Sequence, residues 1–305
     1  MNASDNTTVH KPVLMHEVLT YLNVQPGAVY LDVTFGSGGH TRAILAQAAG
    51  CTVVSLDWDT AALDTFAPAI KSAFGDRFIP VWANFGNMLP ALKKTGITQF
   101  DGILADFGTS QVQIFNQAGF SVYKDTPLDM RMSPAHQRMT AAQVVNTFEE
   151  KALRELFYQL GEEKHAKKIA QMIVSERAHT PFETTVQLAT LIERCVPRDR
   201  SARRIHPATR VFQALRMFVN HELDNIISFL SVAPKLLKPS GRLVCISFHS
   251  LEDRLVKQTF RQLEQSGVAQ LITKKVVMAS QDELRQNPSS RSAKLRAVEK
   301  NAHSE

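Results

Sequence analysis

Residues 31–40, LDVTFGSGGH, gather side chains and backbone suited to holding a small charged ligand: Asp32, then Gly36, Gly38, Gly39 and His40. Glycines at these positions let the backbone come close to a ligand without Cβ contacts. Asp57 closes the next β-branched run, 19 residues after Gly38. In doubly wound folds an acid at that place reaches the hydroxyl pair of a ribose. The G-x-G-x-x-G spacing of dinucleotide sites fails because residue 41 is Thr, and a pyrophosphate favours a positive helix terminus with no carboxylate beside it. S-adenosylmethionine carries an ammonium and a sulfonium and no phosphate, so Asp32 next to the glycines favours the methyl donor. The alternative reading is that Asp32 only caps a turn.

Further along, DGILADFGTS ends an apolar run with Asp106, at the strand edge where open α/β sheets bind ligands, and Gly108 permits close approach. A carboxylate there can accept a hydrogen bond from an exocyclic base amine and orient its nitrogen toward a sulfonium methyl, so that positioning supplies most of the rate. The competing reading is a strand-ending cap. Asn84 and Phe85 of NFG can flank an adenine, or Phe85 can be a core residue. In ISFHSLEDR, Ser250 and Asp253 have the spacing of a capping box, which leaves His249 at the ligand edge of the sheet as a catalytic candidate. Asp129 and Arg131 of PLDMRM either carry a functional role or simply pair in a loop. Arg198, Arg200, Arg203 and Arg204 precede HPATRVFQALR, where Pro207 suits a helix first turn. With Arg210 they form a basic stretch fit for phosphates, or simply a solvated face. Cys51, Cys195 and Cys245 match no metal-ligand spacing, and no metal is expected.

These residues need a scaffold. Runs at 29–34, 52–57, 78–82 and 101–106 read as strands, with helices between the first three, including 60–74 despite its Pro. That alternation predicts a parallel, doubly wound sheet. Residues 111–235 carry helical periodicity in 140–160, 162–178 and 184–196, with Thr140 and Thr184 as N-caps. The sheet resumes at 241–248 after a Pro-Ser-Gly turn, followed by strands in 270–279 and 293–300. The organisation expected is therefore an α/β domain over 1–110 and 236–305 with an inserted helical, RNA-recognition subdomain over 111–235. At 305 residues, 44% hydrophobic and 21% charged, wholesale disorder is excluded. There is no apolar run long enough for a membrane span and no targeting segment at the start. Three scattered cysteines fit a reducing cytoplasm, and a formal charge of +6 fits an anionic partner.

The chain resembles the bacterial ribosomal RNA small-subunit methyltransferase H family (RsmH, formerly MraW). The resemblance rests on HKPVLMHEVL, LDVTFGSGGHTRAIL, RFIPVWANF, DGILADFGTS, PLDMRM, GEE, HPATRVFQALR, VNHEL, ISFHSLEDR and RSAKLR, in family order over about residues 10 to 300. It implies a Rossmann-like class I S-adenosylmethionine-dependent methyltransferase sheet with an inserted helical domain. It also implies N4-methylation of cytidine 1402 of 16S rRNA, with the small ribosomal subunit as partner. Cofactor-binding positions carry over onto Gly38, Gly39, His40, Asp57, Phe85, Asp106 and Gln113. One stretch departs: where the family reads D-L-G-V-S-S-P-Q-L-D, residues 106–115 read DFGTSQVQIF, without the second Ser, the Pro and the final acid. A non-catalytic RNA-binding assembly factor is the alternative this departure motivates. A nicotinamide-dependent oxidoreductase is disfavoured by Asp32. Monomer and homodimer both stay open.

Overall fold

The computed structural model describes residues 11–108, 118–196 and 206–302. The chain divides into two units, one of Met1–Gly108 with Leu223–Glu305 and one of Thr109–Glu222.

The first unit is built on an eight-stranded sheet. Its strands are β1 (Val29–Asp32), β2 (Thr52–Asp57), β3 (Phe78–Trp82), β4 (Phe100–Asp106), β5 (Leu237–Ser247), β6 (Ala269–Leu271), β7 (Val277–Met278) and β8 (Lys294–Lys300). The order is β3-β2-β1-β4-β5-β8-β6, with β7 also paired to β8. β1 to β5 run parallel, while β8 lies antiparallel to β5, β6 and β7. This is the Rossmann-like, mostly parallel sheet that the alternation of short runs predicts. Parallel strands covered on both faces read as continuous apolar runs, and the alternate residues feed two cores. Leu31, Val54, Ile103 and Ala105 belong to one; Tyr30, Val53, Leu104 and Val244 belong to the other.

The covering helices are α1 (Met15–Leu22), α2 (Gly39–Gln47), α3 (Thr60–Phe74) and the short α4 (Leu89–Lys93). α3 keeps its full expected length with Pro68 inside it, and Asp59 caps it by accepting the N–H of Ala61. Chain order reverses at β1, since β2 and β3 lie to one side of it and β4 and β5 to the other. Open α/β sheets bind ligands at such a switch point, beyond the carboxyl ends of the strands. Asp32 ends β1 and Asp106 ends β4, so both lie at that edge.

The second unit is helical. It holds α5 (Ala141–Thr147), α6 (Glu150–Gly161), α7 (Ala166–Arg177), α8 (Thr185–Cys195) and α9 (Thr209–Val219). Thr140 and Thr184 cap α5 and α8 in full capping boxes, with Gln143 and Gln187 closing them. The single helix expected over 140–160 is instead α5 and α6, because Phe148 and Glu149 adopt extended backbone. The break turns the Phe148 ring onto Phe218 at 5.3 Å. Pro207 lies just ahead of the first turn of α9, which is preceded by Ala208. Thr184→Ala is expected to lower unfolding free energy by about 1 kcal/mol, the usual worth of a lost Thr cap. Urea titration measures it.

One boundary differs from the expected 235/236. α10 (Glu222–Leu236) belongs with the sheet, because Ile226, Phe229, Leu230 and Ala233 enter its core. Nor does β5 wait for the Pro-Ser-Gly turn. It starts at Leu237 and passes those residues with a shift of register and Ser240 at φ 61°. After β5 come α11 (Ser250–Gln265) and α12 (Gln281–Gln286). Among the described residues, no helix is long and apolar enough to cross a membrane.

Candidate functional site

The glycine segment is a left-handed turn held from both sides by acids. Gly36 and Gly38 have φ of 53° and 76°, values that favour glycine. Gly38 donates its N–H to Phe35 O and forms the N-cap of α2. A Cβ at Gly38 would collide with Ile70 and Phe35, and one at Gly39 with Pro12, whereas one at Gly36 would meet nothing within 4 Å. The segment is thus packed on the protein side and open on the other at Gly36.

Asp57, at the end of β2, shapes this turn. Its Oδ2 accepts the Gly36 N–H at 2.8 Å and its Oδ1 accepts the Asp59 N–H at 2.9 Å. Burial pushes its carboxyl up from 3.8 to about 6, against the lowering effect of those two N–H donors, with the charges of Asp59 and Asp32 adding to the rise. A carboxylate so destabilised gains from a ligand that donates hydrogen bonds to its remaining lone pairs.

Asp32 is fully buried. Its Oδ1 accepts the Thr34 N–H at 3.1 Å, and its Oδ2 accepts the Thr41 hydroxyl at 2.7 Å; that hydroxyl also lies 2.7 Å from Ser55 Oγ. Burial pushes its carboxyl upward as well. Asp32 thus fixes the turn and the start of α2 through Thr34 and Thr41.

At the end of β4, Asp106 donates its backbone N–H to Thr34 Oγ1 at 2.7 Å, which ties the fourth strand to the glycine segment. Its Oδ2 lies 3.5 Å from His40 Nε2. His40 is only 6% exposed. Among the described residues, neither ring nitrogen of His40 has a hydrogen-bond partner, and Asp106 Oδ1 has none. Buried polar atoms without partners are rare; those on the neighbouring His40 and Asp106 side chains, near the glycine turn, offer donors and acceptors to a polar ligand. The residues present thus fit a nucleoside bearing a cationic amino acid side chain. Phe85 opens a 3-10 turn capped by Asn84. Its ring is half-buried against Phe107 at 5.8 Å and Phe229 at 5.9 Å, so the core reading describes one side of the ring.

The helix after β5 is capped differently from expectation. His249, not Ser250, is the N-cap of α11, and Glu252, not Asp253, closes the capping box. Asp253 instead pairs with Arg296 through two contacts, at 2.7 and 3.1 Å. His249 Nδ1 accepts the Glu252 N–H at 3.4 Å, and Nε2 lies 3.0 Å from the buried Glu252 carboxylate. Asp129 and Arg131 pair with each other, at 2.7 and 2.8 Å. Arg210 is exposed on α9 in the helical unit. Gln113, Arg203 and Arg204, with Arg198 and Arg200, lie outside the described residues. Sequence reasoning passed over Thr34, Thr41 and Glu252. A Thr two residues beyond a strand-ending acid is a local turn signature that could have drawn attention to Thr34.

The MraW methylase family model matches residues 7–301. Two relatives bear the name ribosomal RNA small subunit methyltransferase H. The one from Picosynechococcus is 49% identical over 293 residues, covering 95% of this chain and 96% of its own length. That from Carboxydothermus hydrogenoformans is 46% identical over 307 residues, covering 95% and 97%. On this similarity along nearly its whole length, the chain belongs to the MraW methylase family and is an S-adenosylmethionine-dependent methyltransferase.

Proposed function

We propose that this protein methylates the exocyclic N4 of cytidine 1402 in 16S rRNA, with the small ribosomal subunit or its RNA as substrate in the cytoplasm. The observation that carries the site assignment is the pairing of buried His40 with half-buried Asp106, with their unpartnered polar atoms, near the Gly36 turn. S-adenosylmethionine supplies an electrophilic methyl on a sulfonium that is an excellent leaving group. Gly36 gives its amino acid end close backbone approach, Gly38 and Gly39 shape the turn beside it by packing on Phe35, Ile70 and Pro12, Asp57 accepts the ribose hydroxyls, and His40 and Phe85 border it.

Asp106 accepts an N–H of the cytosine amine. That hydrogen bond draws the nitrogen lone pair out of the ring and aligns it, which is a positioning effect. His249 stands at the same carboxyl edge of the sheet, with its ring held by Glu252, and contacts the base. The amine becomes acidic as its new bond forms, so water suffices to take the proton. The helical unit, with Arg203, Arg204 and Arg210, provides phosphate contacts.

Deleting the gene is expected to remove N4-methylcytidine from position 1402. Mass spectrometry of digested 16S rRNA reads this directly, and an intact mark refutes the substrate assignment. The altered stretch after Asp106 favours a second reading, an RNA-binding assembly factor without turnover; methyl transfer to small subunits in vitro excludes it.

A further inference from the structure

The helical unit exposes an aromatic ring that the function above does not use. Tyr123 is 75% exposed, yet it is held in place. Ser121 Oγ accepts the N–H groups of both Tyr123 and Lys124 at 3.2 Å. The next carbonyl, Lys124 O, takes the Thr185 hydroxyl at 2.7 Å, which fastens the turn to the capped start of α8. The ring itself meets His206 edge to face, with centroids 5.3 Å apart and an interplanar angle of 85°. His206 is fixed in turn: its Nδ1 accepts the Ala208 N–H at 3.1 Å, and its Nε2 lies 3.2 Å from Glu193.

An exposed ring normally loses conformational freedom when it binds, and that loss subtracts from affinity. Here the turn and His206 have restricted it beforehand. Asp125, two residues along the same turn, lines an open groove of about 480 Å3 together with Thr184, Gln187 and the Glu176–Arg194 pair. An exposed aromatic face held in one orientation suits a nucleobase, which can stack on it, whereas a phosphate would call for cations. The charge balance favours an anionic chain, since residues 109–222 contain 16 Lys and Arg against 12 Asp and Glu.

We propose that Tyr123, braced by His206, is a stacking platform for one unpaired nucleotide of the RNA substrate, placed on the helical unit. The proposal rests on the reading that RNA is the substrate. Its test is fluorescence anisotropy with a labelled 16S rRNA fragment containing the methylation site, using the full-length wild type, Tyr123→Phe, Tyr123→Leu and Tyr123→Ala. Base–aromatic stacking makes Tyr123→Ala and Tyr123→Leu about 5- to 100-fold weaker, while Tyr123→Phe binds within about twofold of wild type. S-adenosylmethionine affinity and melting temperature stay unchanged in all three, and the KM for RNA rises in the leucine variant while kcat does not fall. Wild type binding the fragment with the leucine and alanine variants equally tight overturns the stacking role alone. Wild type failing to bind it overturns the RNA reading and the platform together. A Tyr123→Phe as weak as Tyr123→Leu overturns stacking in favour of a hydroxyl contact.

Discussion

Asp57→Ala is expected to weaken S-adenosylmethionine binding at least about 100-fold by calorimetry. Two ribose hydroxyls donating to a charged acceptor contribute about 1.5–3 kcal/mol each, and the substitution removes both. It also strips the N–H groups of Gly36 and Asp59 of the acceptor that orders the turn. Asp57→Asn separates the two roles, because the amide oxygen still takes one N–H while the charge is gone. The acidity of Asp57 adds a pH signature. With its carboxyl at about 6 in the free protein, binding above that pH meets a ready carboxylate. Below it a proton must first leave, so affinity falls about tenfold per pH unit as the pH drops from about 6 toward 5.

Folding stability moves the other way. A carboxyl raised in the folded state takes up its proton before the unfolded chain does. Its effect on the free protein is therefore most favourable below about 4 and is lost as the pH rises through about 6. Opposed trends in affinity and stability distinguish this group from general acid unfolding. The two tryptophans, Trp58 and Trp82, are convenient reporters, since Trp58 follows Asp57 directly and Trp82 is its partner across β3. An affinity that stays flat between pH 5 and 7, or that survives Asp57→Ala, overturns the ribose assignment.

Asp106→Asn is expected to reduce the rate of methyl transfer about 100- to 1,000-fold at saturating cofactor and RNA, the usual cost of one preorganised polar group at a reacting centre. The replacement keeps the volume and leaves the backbone N–H bond to Thr34 in place, so the fold is retained. It presents an amide donor where the base amine also donates, and the alignment of the nitrogen lone pair is lost. RNA affinity changes little, which makes this a loss in kcat and not in KM. Single-turnover transfer of a tritiated methyl group measures it. A rate within about threefold of wild type removes Asp106 from the reaction.

Much of this arrangement is legible locally. Strands 52–57 and 78–82 and helix 60–74 coincide with their sequence patterns, because a β-branched run or a 3.6-residue period contains its own instruction. Thr140 and Thr184 are readable as caps because the Gln that closes each box is three residues away. At His249 the same motif misled: Ser250–Asp253 and His249–Glu252 share one spacing, and the competition is settled by Arg296, 43 residues from Asp253, which claims the second acid. Likewise α10 is an amphipathic helix in either unit by its pattern; only the apolar face of the sheet decides that Phe229 belongs there.

By itself, the sequence determined the alternation of elements, the glycine turn with its flanking acids, and the family, since each is written in residues close along the chain or in their order. Tertiary structure decided what each acid holds. Asp32 and Asp57 look equivalent as strand-ending carboxylates, yet the first takes the Thr34 N–H and the Thr41 hydroxyl, while the second takes the N–H groups of Gly36 and Asp59. His40 and Asp106 are far apart in sequence and meet only because β1 and β4 are neighbours. Pairing across a sheet is a long-range event whose partners are chosen by the packing of the whole unit, and no local pattern encodes it.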